Sequence, residues 1–161
     1  MSEIVLPNTI LKILREKAEK HGISIEELLF DVLLSDYNPS ERVEKYIKGA
    51  RELINQAREE FKRGNLRQAS EKIWGSCALA IKAHALAKKG ITLKSHRELW
   101  IYKDEIAQEL GDWIRGVFRQ ADSMHKNFYE NLATERDIED VLKEVEKLVK
   151  AISDALYKSS T

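Results

Sequence analysis

Residues 43–89, VEKYIKGARELINQAREEFKRGNLRQASEKIWGSCALAIKAHALAKK, decide the fold. They read as two long helices broken at Arg63-Gly64-Asn65. The first carries Val43, Tyr46, Ile47, Ala50, Leu53, Ile54, Ala57 and Phe61 in steps of three and four, the spacing of one buried helical face. The second, about 66–89, is lined with small residues: Ala69, Ser70, Gly75, Ser76, Ala78, Ala80, Ala83, Ala85 and Ala87. Small side chains let neighbouring helices approach closely, so this helix is expected at the centre of a compact bundle.

The flanks extend the same pattern. Asn38 can cap the helix before the break, and Pro39 suits its first turn. Ser95 with Glu98 forms a capping-box pattern that starts a helix running to about Leu110, and Gly111-Asp112 interrupts or bends the path before a helix at about 112–131. Thr134 begins a last helix whose Ile138, Val141, Leu142, Val145, Leu148, Val149 and Ile152 make one apolar stripe. The fold class is therefore all-α, an antiparallel bundle over 38–161. Trp74, Trp100 and Trp113 fall at helical spacing and are expected in its core.

Residues 1–37 read differently. Glu3-Ile4-Val5-Leu6-Pro7 is a short strand candidate, with Ile4 and Leu6 on one face and Glu3 and Val5 on the other. Asn8-Thr9 opens a helix closed by His21-Gly22, and Ser24 with Glu27 caps a second helix bearing Leu28, Leu29, Val32 and Leu33. This order resembles the ribbon-helix-helix fold, in which strands from two chains pair, so a small dimerising element is expected. That fold reads DNA through outward strand residues. Here they would be Glu3 and Val5, poor donors to phosphates or base edges, so specific duplex DNA is not an expected partner.

Lys plus Arg and Asp plus Glu number 27 each, a zero formal charge that argues against tight nonspecific duplex binding. The abundance of charge, 34% of the chain, suits a heat-adapted protein with surface ion pairs. No run of eighteen apolar residues exists for a membrane span, and the N-terminus lacks a secretory pattern, so the cytoplasm is the expected location. Cys77, the lone cysteine, is expected as a buried small hydrophobe. There is no His-Glu-x-x-His, no cysteine pair and no glycine-rich phosphate loop, so neither a metal nor a cofactor is expected.

The 43–89 helices, with Ser95-His96-Arg97-Glu98-Leu99-Trp100 and His125-Lys126-Asn127-Phe128-Tyr129-Glu130, resemble the PaREP family of archaeal proteins over roughly 38–157. That family looks like a relative of the higher eukaryotes and prokaryotes nucleotide-binding (HEPN) domain, a helical bundle that often dimerises and in some members cuts RNA. The resemblance implies a homodimer that binds RNA or nucleotides, with metal-independent RNA cleavage as the activity of the cutting members. It also marks Arg119 and His125, separated by five residues, as the catalytic pair. The histidine would move a proton and the arginine would stabilise phosphate charge.

On one helix Arg119 and His125 lie about 120° apart and about 9 Å along the axis. They would converge better across a two-fold dimer interface. Asp122 is placed to orient or charge-stabilise the imidazole. The alternative leaves Arg119 on the surface beside Asp122 or Asp112 and packs His125 under Tyr129. A second cluster, Lys94, His96 and Arg97, sits at a helix N-terminus, where free N–H groups favour phosphate. His84, among alanines, is expected to be a packed bundle residue. A noncatalytic interaction module, such as half of a toxin–antitoxin-like pair, is the reading from another class.

Overall fold

The computed structural model describes residues 3–157. Seven helices follow one another among the described residues: α1 (Asn8–His21), α2 (Ile25–Leu33), α3 (Pro39–Lys62), α4 (Leu66–Lys89), α5 (His96–Leu110), α6 (Trp113–Glu130) and α7 (Glu135–Tyr157). The Arg63–Asn65 break is short enough to fold α3 and α4 into an antiparallel hairpin. Asn38 caps α3 by accepting from the Glu41 amide. Gly90 ends α4 in the left-handed region, φ 66°, where only a residue without Cβ sits at no steric cost.

Helix α4 is the axis of the molecule, with α3, α5, α6 and α7 packed around it. Every residue from Ile73 to Leu86 is buried, which a helix achieves only when neighbours cover its whole circumference. The small residues permit this. Ser76 Oγ donates to the Ala50 carbonyl of α3 at 2.6 Å, and Gly75 faces Leu53 so closely that a Cβ there would stand 3.0 Å from its Cδ1. Ala87 alone of the named small residues is exposed, at the last turn. The expected α7 stripe is buried against this core from Ile138 to Ile152.

Two expectations need correction. Residues 3–7 form no strand; no strand occurs among the described residues, and Ile4 and Val5 are exposed. A strand exists only through backbone pairing, and no described segment of the chain pairs its backbone with this one. Trp113 is not core. It stands 41% exposed at the start of α6, its indole N–H donating to the Leu110 carbonyl across the Gly111 turn. Trp74 is fully buried, as expected, and Trp100 is half-buried.

Helices α1 and α2 share a small core of Ala18, Ile23 and Leu28, leaving Ile10, Ile13, Val32 and Leu33 exposed. Helix α2 is bound to the bundle by Phe30, which packs on the core beside Tyr46, and by polar contacts. Lys82 of α4, 1% exposed at its side chain, donates to Asp31 Oδ2 at 2.8 Å and to the Leu93 carbonyl at 2.7 Å. Tyr46 Oη donates to Asp31 Oδ1 at 2.7 Å, and Lys72 pairs with Glu26 at 2.9 Å.

Candidate functional site

Trp74 organises the polar centre. Its indole N–H donates to Glu27 Oε2 at 3.0 Å, and the same oxygen accepts the Ser24 amide at 2.8 Å in the capping box that starts α2. Glu27 is fully buried, and burial pushes its carboxyl above the ordinary range although Lys82, 4.0 Å from Oε1, pulls the other way. The rings of His96 from α5 and His125 from α6 pack against this indole, at 5.2 and 5.6 Å between centroids. They stack on each other at 5.8 Å.

Each histidine meets a carboxylate. His125 Nδ1 donates to Glu71 Oε1 at 2.8 Å. Burial lowers the affinity of His125 for a proton, but the Glu71 hydrogen bond and charge, with Glu27 and Asp122 behind it, leave the imidazole titrating above its ordinary value. Burial raises Glu71 above its ordinary value, against the opposing pull of the His125 hydrogen bond and charge. His125 Nε2 has no hydrogen-bond partner among the described residues and is not fully enclosed, on a side chain that keeps 13% exposure. A carboxylate on one imidazole nitrogen and an open second nitrogen is the geometry of a general acid–base group.

His96 is turned inward. Its Nε2 accepts the Trp100 indole N–H at 3.0 Å, which requires a bare nitrogen. Asp122 Oδ1 lies 2.8 Å from the same nitrogen but outside hydrogen-bond geometry; Asp122 Oδ1 and, on the other side of the ring, His96 Nδ1 are both enclosed with no hydrogen-bond partner among the described residues. One nitrogen cannot accept from the indole and donate to the carboxylate together. The turn between α1 and α2 lies against the root of the His96 side chain, since a Cβ on Gly22 would stand 3.2 Å from His96 Cβ.

The anticipated residues are thus partly assembled. His125 and Asp122 share the cluster, but Asp122 acts on His125 through charge alone; its contacts are His96 and, at 3.4 Å, Lys126. Arg119 is exposed, and no hydrogen bond or ion pair joins it to His125, Asp122 or Asp112 within the chain. Lys94 and Arg97 are exposed at the start of α5, whereas their neighbour His96 faces the cluster. Sequence reasoning read Trp74 only as a core residue and Glu27 only as a helix cap, and it missed Glu71. Glu71 lies 54 residues from His125, and its one signal was that it is the single acid of the 66–89 helix.

His84, packed as expected, joins Tyr102 Oη at 2.8 Å and Glu109 at 2.9 Å. Cys77 is buried, and burial pushes its thiol up, away from thiolate chemistry. No helix among the described residues is long and apolar enough to cross a membrane.

No curated protein matches the chain. The description of the archaeal PaREP1/PaREP8 family does match, over residues 45–149, which takes in α4, α5, α6 and the rings of Trp74, His96 and His125. With most of its length so matched, this all-helical chain belongs to the archaeal PaREP1/PaREP8 family.

Proposed function

We propose that the chain is a homodimeric, HEPN-like helical protein that binds RNA and cuts it without a metal, with His125 as the proton-transfer group. The observation that carries this reading is the Glu71–His125 pair, closed at 2.8 Å on Nδ1 and open on Nε2. The 2′-hydroxyl oxygen attacks the adjacent phosphorus while its proton passes to His125 Nε2. The P–O5′ bond breaks and the 5′-oxygen takes a proton from water, leaving a 2′,3′-cyclic phosphate and a 5′-hydroxyl. Glu71 holds the imidazole in orientation and stabilises its charged form. Arg119, exposed on another face of α6, serves the phosphate of a site completed by a second copy. The exposed Ile10, Ile13, Val32 and Leu33 of α1 and α2 supply apolar surface for that assembly.

The separation of Arg119 from His125 favours a second reading, a noncatalytic interaction module. Labelled single-stranded RNA incubated with chelator distinguishes the two. The catalytic reading expects cyclic phosphate ends and a loss of about 10²–10⁴-fold in His125→Ala. Uncut RNA, or cutting indifferent to His125→Ala, leaves the interaction module. Light scattering should give twice 18.6 kDa, and a monomer would remove the composite site. Specific duplex DNA binding at physiological salt is not expected.

A further inference from the structure

Between the α1–α2 hairpin and the facing parts of α4 and α6 lies a groove of about 300 Å³. Ile23, Ile25 and Phe128 make it apolar, and Tyr129, 56% exposed, stands along it. The Tyr129 ring is held edge-on to His125 at 5.8 Å and to Phe128 at 5.1 Å. Glu71 also lines the groove. Its Oε1 is taken by His125, while Oε2 has no partner among the described residues and is not an enclosed atom. The carboxylate that orients His125 therefore presents its second oxygen to the groove.

We infer that this groove seats a nucleobase bearing an exocyclic amino group, stacked on Tyr129 with that amino group on Glu71 Oε2. The inference rests on the reading of His125 given above and names the base-binding part of the same site. The volume lies at the lower end of ligand pockets and suits one planar heterocycle, not a longer stretch of chain. Charge selects which part of a nucleotide enters. With Glu26 paired to Lys72 and Glu19 facing the charge of Arg15, the untaken oxygen of Glu71 decides the matter and favours a hydrogen-bond donor over a phosphate. A carboxylate accepts from the amino group of cytosine or adenine but faces the carbonyl oxygen of uracil unfavourably. Arg15 is the one cation on the lining and is available to the phosphate that leaves it. A base on Oε2 would also hold Glu71 against His125, coupling base recognition to the proton-transfer group.

The test is equilibrium binding of adenosine, cytidine and uridine to the full chain, followed by amide and aromatic NMR shifts, beside cleavage of an RNA of mixed sequence. Adenosine and cytidine should bind at least about tenfold more tightly than uridine. Tyr129→Ala should lose about tenfold or more of that affinity, the ordinary worth of a base on an aromatic ring. Tyr129 is half-exposed, and a circular dichroism spectrum checks that the variant folds. Glu71→Gln, which offers both a donor and an acceptor, should narrow the preference against uridine. Equal binding of all three nucleosides, no binding, or affinity unchanged by Tyr129→Ala overturns the inference. Nucleosides bound as expected with RNA left uncut would uphold the groove and overturn only the cleavage reading. RNA cut without base preference, and equally well by Tyr129→Ala, would do the reverse.

Discussion

Replacing Lys82 with methionine removes one charge from the contact between α2 and α4 while keeping most of the side-chain volume. Three groups lose by it: Asp31, the Leu93 carbonyl, and Glu27, whose Oε1 has no hydrogen bond and lies 4.0 Å from this cation. A buried carbonyl left without its donor costs about 1–3 kcal/mol. Breaking a buried ion pair from one side costs about 3–5 kcal/mol. The two losses share one atom and overlap, so the expected destabilisation is about 3–5 kcal/mol, a large fraction of a typical stability. Asp31 keeps the Tyr46 hydroxyl, and Glu27 keeps the Ser24 amide and the Trp74 indole. Most of the loss is thus stranded charge, and adding Glu27→Gln should restore a large part of it.

The same reasoning fixes the pH dependence. Burial already raises the folded Glu27 carboxyl above its ordinary 4.5, and losing Lys82 raises it further. A group that holds its proton more tightly when folded stabilises the fold fully below its unfolded value, and that contribution is lost as pH rises through the folded value. The penalty in Lys82→Met should therefore be smaller at pH 5 than at pH 7.5. Urea unfolding followed by circular dichroism at both pH values, for both variants, measures it. A loss under about 1 kcal/mol, or one equal at both pH values and untouched by Glu27→Gln, would refute stranded charge as the cause.

NMR titration should place His125 above and His84 below an ordinary histidine, since Glu71 outweighs burial at the first and burial dominates at the second. The His125 contribution to stability is complete below 6.5 and lost as pH climbs through its folded value, while that of His84 is present above 6.5 and lost as pH falls through its own. Glu71→Gln should lower the His125 midpoint. Gly111→Ala should cost about 1–3 kcal/mol in thermal unfolding, because φ +114° admits little but glycine. Its added Cβ also meets Trp113 Cδ1 at 2.9 Å, but Trp113 is exposed and can swing aside. Ser24→Ala removes the acceptor of the Glu27 amide and should cost about 0.5–2 kcal/mol by chemical denaturation.

The bundle was readable because each helix states its own limits. Asn38, Ser95 and Thr134 cap where they were expected to, and the apolar steps of α3 and α7 give the buried face directly. Those signals are local. Contacts between helices are not, and the site is made of them. His125 was visible as a histidine near an arginine, but Glu71 reaches it from another helix, and no spacing rule connects residues 54 apart. Lys82 resembled any exposed lysine on a helix, and only its enclosure by α2 and the Leu93 segment reveals it as a buried cation. The strand expected at 3–7 needed a pairing partner that alternation alone cannot supply. Trp113 broke the helical-spacing argument because it begins a helix, where one side faces a turn rather than a neighbour.

The burial of α4 on every side also constrains how the chain comes off the ribosome. When Lys89 has been made, α3 is the only bundle helix available to cover it; α5, α6 and α7, which shield its remaining sides, are still to be synthesised. Trp74 then lacks the Phe118 and His125 rings of α6, and Lys72 and Lys82 must still be neutralised. The early-made α2 is already in place to do so. Its salt links to Lys72 and Lys82 give the nascent α3–α4 hairpin a polar clasp before its apolar partners exist.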